Sequence, residues 1–438
     1  MNTKATGWIK AGSYSLLGYA AQMGFGFVSF LVLVRLLPEY EFGVWVLYMT
    51  ALAFPEMGRS GLLQNAVVKF CVEEEESYGD ILMTGLWLNT LGGLGLGLIL
   101  GLICWPLSWY IWEAPELAYL IWLYIPWALI HGTARFLDFP SMVHHDFKGI
   151  FWSKIAYGLL FLVGILVVWQ WRGEVRIFWL PILQTLAAIP SLLVLLFYRR
   201  DYLRWGNYSP DWAKRIFHFG KFVLGTNVSS MLFNKMDLMM VGAFINPAAV
   251  AVYSVATKVT NYLEVPMSGI SQAIYPKLAM ANSNGSKSEV GKLYEKSVGI
   301  IVAMILPLAI LVLGLSEWVV TLIAGEAYVE AAPLLNILVL AVMIKPWGRL
   351  FGITLDAIGR PQLNFQLLVF SLLMNIILNA VFISLWGLPG AAMATAVSIV
   401  LLVVTGQILI ERIIPINQWN ILRQVLAVYT RPRQLLNL

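Results

Sequence analysis

Charge is scarce in this sequence. Asp, Glu, Lys and Arg make up 12% of 438 residues, against roughly 25% in an ordinary globular domain. Histidine and cysteine are scarcer still, at four and two residues. Cys71 and Cys104 sit in or beside apolar runs, which argues against a disulfide framework or a metal cage. His144-His145-Asp146 has no closing ligand cluster, because His131 and His218 lie far off in sequence. There is no Walker A pattern, no nucleophile elbow and no zinc-protease motif. What is present is apolar: 59% of the chain, with 18 Trp, 18 Tyr and 22 Phe. A soluble protein of this size could not hide so much apolar surface. The composition predicts an all-α polytopic membrane protein. It sets aside secreted enzymes, nucleic-acid binders and disordered scaffolds.

A bilayer core of ~30 Å takes about 20 apolar residues per helix. Twelve spans are expected, at about 11–37, 41–68, 80–107, 116–139, 149–169, 176–198, 216–245, 249–280, 291–323, 330–355, 361–386 and 388–411. Short separators such as Leu37-Pro38-Glu39, Asn246-Pro247 and Gly387-Leu388-Pro389-Gly390 read as tight helical hairpins. Met1 to Lys10 is polar, so no signal peptide is expected ahead of the first span.

The cations set the expected orientation. With the N-terminus inside, inside positions hold 22 of the 29 Lys and Arg, while outside loops hold Arg35, Arg172 and Arg176. That bias predicts both termini on the cytoplasmic side and accounts for the net charge of +5 without nucleic acid. Arg59, Lys235, Lys258 and Lys345 remain within spans. The basic loop Arg199–Arg215 marks the expected boundary between a six-helix half at 1–205 and another at 206–411. The Glu73–Glu76 run reads as a solvated inside turn. Beyond it all, 412–438 reads as a cytoplasmic amphipathic tail: Trp419, Leu422, Leu426 and Tyr429 recur at helical spacing beside Arg423, as in a helix lying on the interface.

The chain also repeats. An offset of 208 residues sets the first span on the seventh and the second on the eighth without a gap, with ten identities between 12–69 and 220–277. Five form one pattern, Glu-x3-Ser-Gly-x2-Gln-x4-Lys: Glu56, Ser60, Gly61, Gln64 and Lys69 against Glu264, Ser268, Gly269, Gln272 and Lys277. Apolar identities between membrane helices are cheap, but a shared Glu and Gln are not. Six spans per half is an even number, so the two bundles are expected to be related by a pseudo-two-fold along the membrane normal, a transporter architecture.

Particular segments then resemble a known family. VRLLPEYEFGVW at 34–45 looks like the first hairpin of the Wzx-type oligosaccharide flippases, and MGRSGL at 57–62 resembles their second span. DLMMVGAFINPAAVAVYSVA at 237–256 is similar to their seventh-to-eighth hairpin. GEAYVEAAPLL at 325–335, AIGRP at 357–361 and GLPGAA at 387–392 resemble later turns. The resemblance runs along nearly the whole chain. It implies the polysaccharide transporter family of the multidrug/oligosaccharidyl-lipid/polysaccharide flippase superfamily, with two six-helix bundles around a central cavity. It also implies an undecaprenyl-diphosphate-linked oligosaccharide carried from the inner to the outer leaflet of the bacterial cytoplasmic membrane. The implied partners are that substrate and membrane lipids, with a glycan polymerase or glycosyltransferase nearby. The implied state is a monomer, and no cofactor is expected beyond H⁺ or Na⁺ for coupling.

Each charge inside the bilayer costs ~2.5–3.5 kcal/mol on insertion scales, so each is a candidate for function. Glu56, Ser60 and Gln64 share a face of the second span. Glu264, Ser268 and Gln272 do so on the eighth, with Asn261 one turn before, and Asn227, Ser230, Asn234 and Asp237 line the seventh. The expected substrate-binding set is Arg59, Lys235, Lys258, Lys345, Asn227, Asn234, Asn261, Gln64 and Gln272. Cations suit the diphosphate, and amides suit sugar hydroxyls. Glu56, Asp237 and Glu264 are the expected ion-coupling residues. Structural readings stand beside these. Glu56 and Arg59, three apart, form a self-neutralising pair; Lys258 and Lys345 snorkel to an interface; Asp138 is structural. Prolines at 55, 126, 266, 307 and 346 are kinks for alternating access or plain packing. Competing functions are a multidrug or organic-cation exporter on the same fold, which should favour acids and aromatics alone, and an integral-membrane glycan polymerase. The latter needs a catalytic loop, and no outside connection here exceeds about ten residues.

Overall fold

The computed structural model describes the backbone of residues 2–204 and 206–430, and the side chains of these other than 2–11, 222, 223 and 226. Four inside cations of the sequence reading, Lys4, Lys10, Arg431 and Arg433, lie outside the described side chains, as does the end of the tail from 431.

The described chain is helical, with no strand. The first half runs α1 (Asn2–Leu36), α2 (Glu39–Glu73), α3 (Tyr78–Tyr110), α4 (Pro115–Trp122), α5 (Tyr124–Phe136), α6 (Asp138–Val143), α7 (Lys148–Arg172) and α8 (Trp179–Arg199). The second runs α9 (Pro210–Phe244), α10 (Pro247–Leu263), α11 (Val265–Ser283), α12 (Lys287–Gly314), α13 (Ser316–Ala324), α14 (Ala331–Ala357), α15 (Pro361–Trp386), α16 (Leu388–Glu411) and α17 (Gln418–Thr430). Eight described helices are long and apolar enough to cross a membrane, and α4 with α5 and α6 makes a ninth, bent by 44°. The other expected spans, α2, α9 and α10–α11, are those that carry the polar stripes.

Proline explains the breaks only in part. The span at 116–139 breaks at Leu123, before Pro126, and the span at 249–280 breaks at Glu264, before Pro266. A proline near the first turn removes an N–H that is unpaired there anyway and disfavours helical geometry before it. Pro55, Pro307 and Pro346, in contrast, lie inside uninterrupted helices. Glycine closes the α15–α16 hairpin: Gly387 has φ 61°, a left-handed geometry open to a residue without Cβ.

The described chain forms two compact units. One is Met1–Met231 with Asn246–Ala248; the other is Leu232–Ile245 with Ala249–Leu438. The division falls within α9, after Met231, and the loop following α8 belongs with the first unit. Its backbone is pinned there: Asn207 N–H donates to Asp80 Oδ1 at 2.7 Å, Ser209 N–H to Thr84 Oγ1 at 3.0 Å, and the Tyr78 hydroxyl to Tyr202 O at 3.1 Å. The acidic turn is engaged too, since Arg215 pairs with Glu74 at 2.9 Å. His144 stacks on Tyr202, and burial with the nearby Arg204 and Arg199 holds its pKa below the usual histidine range.

In the first unit α1 packs on α7, α7 on α8, and α3 on both α2 and α5. Leu63, Val67, Phe70, Ile81, Leu82 and Phe136 form a core there. In the second, α14 and α15 pack on α16, and α12 packs on α14 and α17. Ala341, Ile399 and Val403 are buried between α14 and α16. Large apolar side chains such as Leu102, Val167, Leu193, Ile310 and Leu373 are exposed on the outer faces, which suits a chain solvated by lipid. The expected tail contains α17, which packs on α12.

Candidate functional site

The polar side chains of the spans gather in three places, each inside one unit. The first surrounds Arg59 on α2. Its guanidinium is buried, 4% exposed. One nitrogen pairs with Glu56 one turn earlier, and Nη1 donates to Asn89 Oδ1 on α3 at 2.9 Å. The Asn89 amide donates in turn to Gly132 O on α5 at 3.3 Å, and the Tyr124 hydroxyl donates to Glu56 Oε1 at 3.0 Å. Gly132 is the reason the guanidinium fits, because a Cβ there would collide with Nη1. Hydrogen bonds to charged groups contribute ~1.5–3 kcal/mol each. Two of them therefore offset the ~2.5–3.5 kcal/mol that a lone cation costs at membrane depth. The self-neutralising pair read from the spacing exists. Arg59 Nε is buried without a hydrogen-bond partner. His131 stacks on Trp127 and against Tyr157 in the same unit, and its Nδ1 is also without a partner.

The second place centres on Glu264, at the α10–α11 break. The Lys345 ammonium, on α14, donates to Glu264 Oε1 at 2.5 Å, and both side chains are 27% exposed. The two units thus treat their repeated glutamate alike. Glu56 takes a partner from the fourth span of its half through Tyr124, and Glu264 takes one from the fourth span of its own half through Lys345.

The third place is buried in the second unit. Asp237 on α9 is 8% exposed. It accepts from Thr395 Oγ1 on α16 at 2.6 Å, from Asn379 Nδ2 on α15 at 2.9 Å, and from the Tyr253 hydroxyl on α10 at 3.4 Å. Asn379 Nδ2 also donates to Asn375 O, one turn back. Two amide oxygens, Asn375 Oδ1 and Asn379 Oδ1, are buried with no donor to meet them. The cluster is therefore rich in oxygen acceptors, and among the described residues no cation hydrogen-bonds to it.

The remaining sequence candidates spread more widely. Lys235 and Lys258 are half-buried in the second unit, and the Lys258 ammonium sits 5.9 Å from the Tyr262 ring centre. Gln64 is half-buried. Asn227 is half-buried beside Gly61, where a Cβ would come within 2.8 Å of its amide nitrogen. Asn234, Asn261, Ser268 and Gln272 are exposed; hydrocarbon is a poor solvent for such groups. Asp138 is buried and pairs with Arg135 at 3.2 Å, as a structural residue would. Sequence reasoning missed Asn89, Tyr124, His131, Tyr253, Asn375, Asn379 and Thr395. Only the two asparagines spaced by four in the apolar middle of α15 carried a signal that could have been read.

Comparison with known proteins follows the geometry. A family described as "Polysaccharide biosynthesis protein" matches residues 32–333. WzxC, a lipopolysaccharide biosynthesis protein of Escherichia coli (strain K12), is 21% identical over 375 residues, which is 83% of this chain and 72% of that one. The probable low-salt glycan biosynthesis flippase Agl15 of Haloferax volcanii is 24% identical over 186 residues, 42% of this chain. The match spans only 39% of the length of Agl15. Among solved structures, the lipid II flippase MurJ in an inward closed conformation gives a TM-score of 0.77 at 13% identity, covering 95% of this chain and 90% of that one. An inward-facing multidrug resistance MATE transporter gives 0.71 at 15% identity, covering 89% and 95%. At such identities the likeness is one of fold, two-lobed with twelve membrane helices. With most of its length matched by one family, and with the Wzx-type motifs in order along it, the chain belongs to the polysaccharide biosynthesis protein family.

Proposed function

We propose that this chain is a flippase that moves an undecaprenyl-diphosphate-linked oligosaccharide from the inner to the outer leaflet of the bacterial cytoplasmic membrane by alternating access. The observation that carries this reading is the set of four cations held in the spans, Arg59, Lys235, Lys258 and Lys345, with Lys235 and Lys258 half-buried in the second unit. Cations kept in apolar spans carry an insertion cost, and a divalent anion offsets it. A diphosphate is such an anion; an organic cation is not. Lys345 and Arg59 add cationic groups already partnered by Glu264 and Glu56, so substrate phosphates compete with carboxylates there. The exposed amides of Asn234, Asn261 and Gln272 suit sugar hydroxyls. Asn227 and Gln64, half-buried, complete that set.

Ion coupling fits Asp237 best of the three carboxylates. Glu56 and Glu264 are each bound to a cation, whereas Asp237 meets only neutral donors. The unmet oxygens of Asn375 and Asn379 beside it suit a proton or a small hard cation. A lipid-linked glycan is the substrate in this reading, both termini are cytoplasmic, and the protein works as a monomer alongside glycan polymerases or glycosyltransferases.

The deciding experiment uses proteoliposomes carrying a fluorescent polyprenyl-diphosphate sugar. Lys235→Gln with Lys258→Gln should cut flipping by at least tenfold at equal protein content. It should leave efflux of an organic dye cation unchanged or raised. Undiminished flipping by that double variant rejects the lysines as the anion site. Dye export without any glycan flipping by the wild type rejects the flippase reading itself.

A further inference from the structure

We propose that α17 is set into the membrane beside α12, as a short accessory helix whose outward face meets lipid chains. The position of α17 is given by four contacts that advance together along both helices. A Cβ on Gly291 would meet Pro415 O; Glu295 accepts from Asn417 N–H at 2.6 Å and from Asn420 Nδ2 at 3.0 Å. A Cβ on Gly299 would meet Gln424 and Ile421; and the Tyr429 hydroxyl donates to Ala303 O at 2.5 Å. Each step of about four residues on α12 is matched by a similar step on α17. The two helices therefore run side by side in the same direction, and α17 does not lie across the end of α12.

The composition of α12 says how deep this goes. Its first turns carry Lys287, Glu289, Lys292, Glu295 and Lys296, and then Ser297–Gly314 holds no charge. The uncharged run is the part suited to hydrocarbon. Ala303 lies six residues into it, or about 9 Å at the helical rise. Glu295, 7% exposed, stands at the boundary and takes the backbone N–H just ahead of α17, where a carboxylate also complements the helix dipole.

The surface of α17 identifies the occupant. Ile421 and Val425 are buried toward α12, while Trp419, Leu422, Leu426 and Tyr429 are 72%, 50%, 66% and 51% exposed around one exposed cation, Arg423. A helix docked in water should turn mainly polar groups outward, whereas four large apolar side chains around one arginine, whose long stem lets its charge reach the headgroups, suit an apolar medium. Met304, Leu308 and Leu311 are likewise exposed in the uncharged run of α12. Lipid chains are therefore the occupant, rather than a partner protein.

Depth measurement by spin labelling tests this on the full chain in liposomes. Cysteines would be placed singly at Trp419, Leu422 and Leu426, with Cys71 and Cys104 changed to serine and Leu308→Cys as the lipid-facing standard. Collision with oxygen and with a water-soluble nickel chelate gives depth. The expected result is lipid-like exposure at all three sites, with depth increasing from 419 to 426 by about 10 Å. Adding Glu295→Ala to the Leu426→Cys protein should make that label shallower and more accessible to nickel. Equal depth at the three sites places α17 flat on the surface and overturns the proposal. So does nickel access throughout, and so does shielding from both reagents, which would put a protein partner on this face.

Discussion

Lys345 and Glu264 stand 81 residues apart in sequence and 2.5 Å apart in space, one on α14 and the other at the hinge between α10 and α11. Each is about a quarter exposed, so neither charge is fully lost to solvent nor fully screened by it. If the pair is structural, Lys345→Gln and Glu264→Gln should each lower thermal stability in detergent, by about 1–3 kcal/mol for the partner left alone. The double change should then cost less than the sum of the two. If Lys345 also meets substrate, the double variant regains stability without regaining flipping. Full recovery of both assigns the pair to structure alone.

Arg59 offers a similar separation of roles. Arg59→Lys keeps the charge but not the two-pronged geometry that reaches Glu56 and Asn89, and Arg59→Gln removes both. Flipping should fall in the order wild type, Lys, Gln at equal membrane content. Full flipping by Glu56→Gln with Arg59→Gln would take Arg59 out of the substrate path and leave it as a packing pair.

Gly132 should prove as sensitive as the arginine it accommodates. Gly132→Ala puts a methyl group where Nη1 lies. Overpacking of this kind costs about 1–3 kcal/mol, and the Arg59–Asn89 bond should be lost with it. Gly92 is the control on the neighbouring α3, with open space around a Cβ; Gly92→Ala should be neutral or stabilising, by up to about 1 kcal/mol. Equal stability of the two variants would mean that the guanidinium has another place to go.

Asp237→Asn tests coupling. The amide keeps the shape and most of the hydrogen-bonding reach, but not the charge. Flipping driven by an imposed Na⁺ or proton gradient should drop to the rate seen without a gradient, while gradient-free exchange persists. An unchanged gradient response would exclude Asp237 as the coupling group. A rise in melting temperature on adding Na⁺ to the wild type, absent from the variant, would distinguish Na⁺ from the proton.

Much of this architecture was legible in the residues. Hydropathy is a local property, so run lengths and separators placed the helices, and the repeat marked Glu56 and Glu264 as equivalents. The three-residue spacing of Glu56 and Arg59 made their pairing readable, because neighbours on one helix are set by 3.6 residues per turn. The break at Glu264 was less clear: Pro266 signalled a perturbation, but so did Pro55 and Pro346, whose helices continue unbroken. A proline's effect depends on whether the surrounding packing supports the carbonyl it frees.

Partners from different helices were not legible. By itself the sequence determined the class of molecule, the apolar runs, the polar stripes and the family, all of which follow from composition, periodicity and motif order along the chain. Only the tertiary structure decided that Glu264 is met by Lys345, that Asp237 is enclosed by Asn379, Thr395 and Tyr253, and that α17 runs beside α12. Helical spacing states which residues share a face. Which helix that face meets, and at what height, is set by the packing of many side chains at once, and no single stretch of sequence contains it.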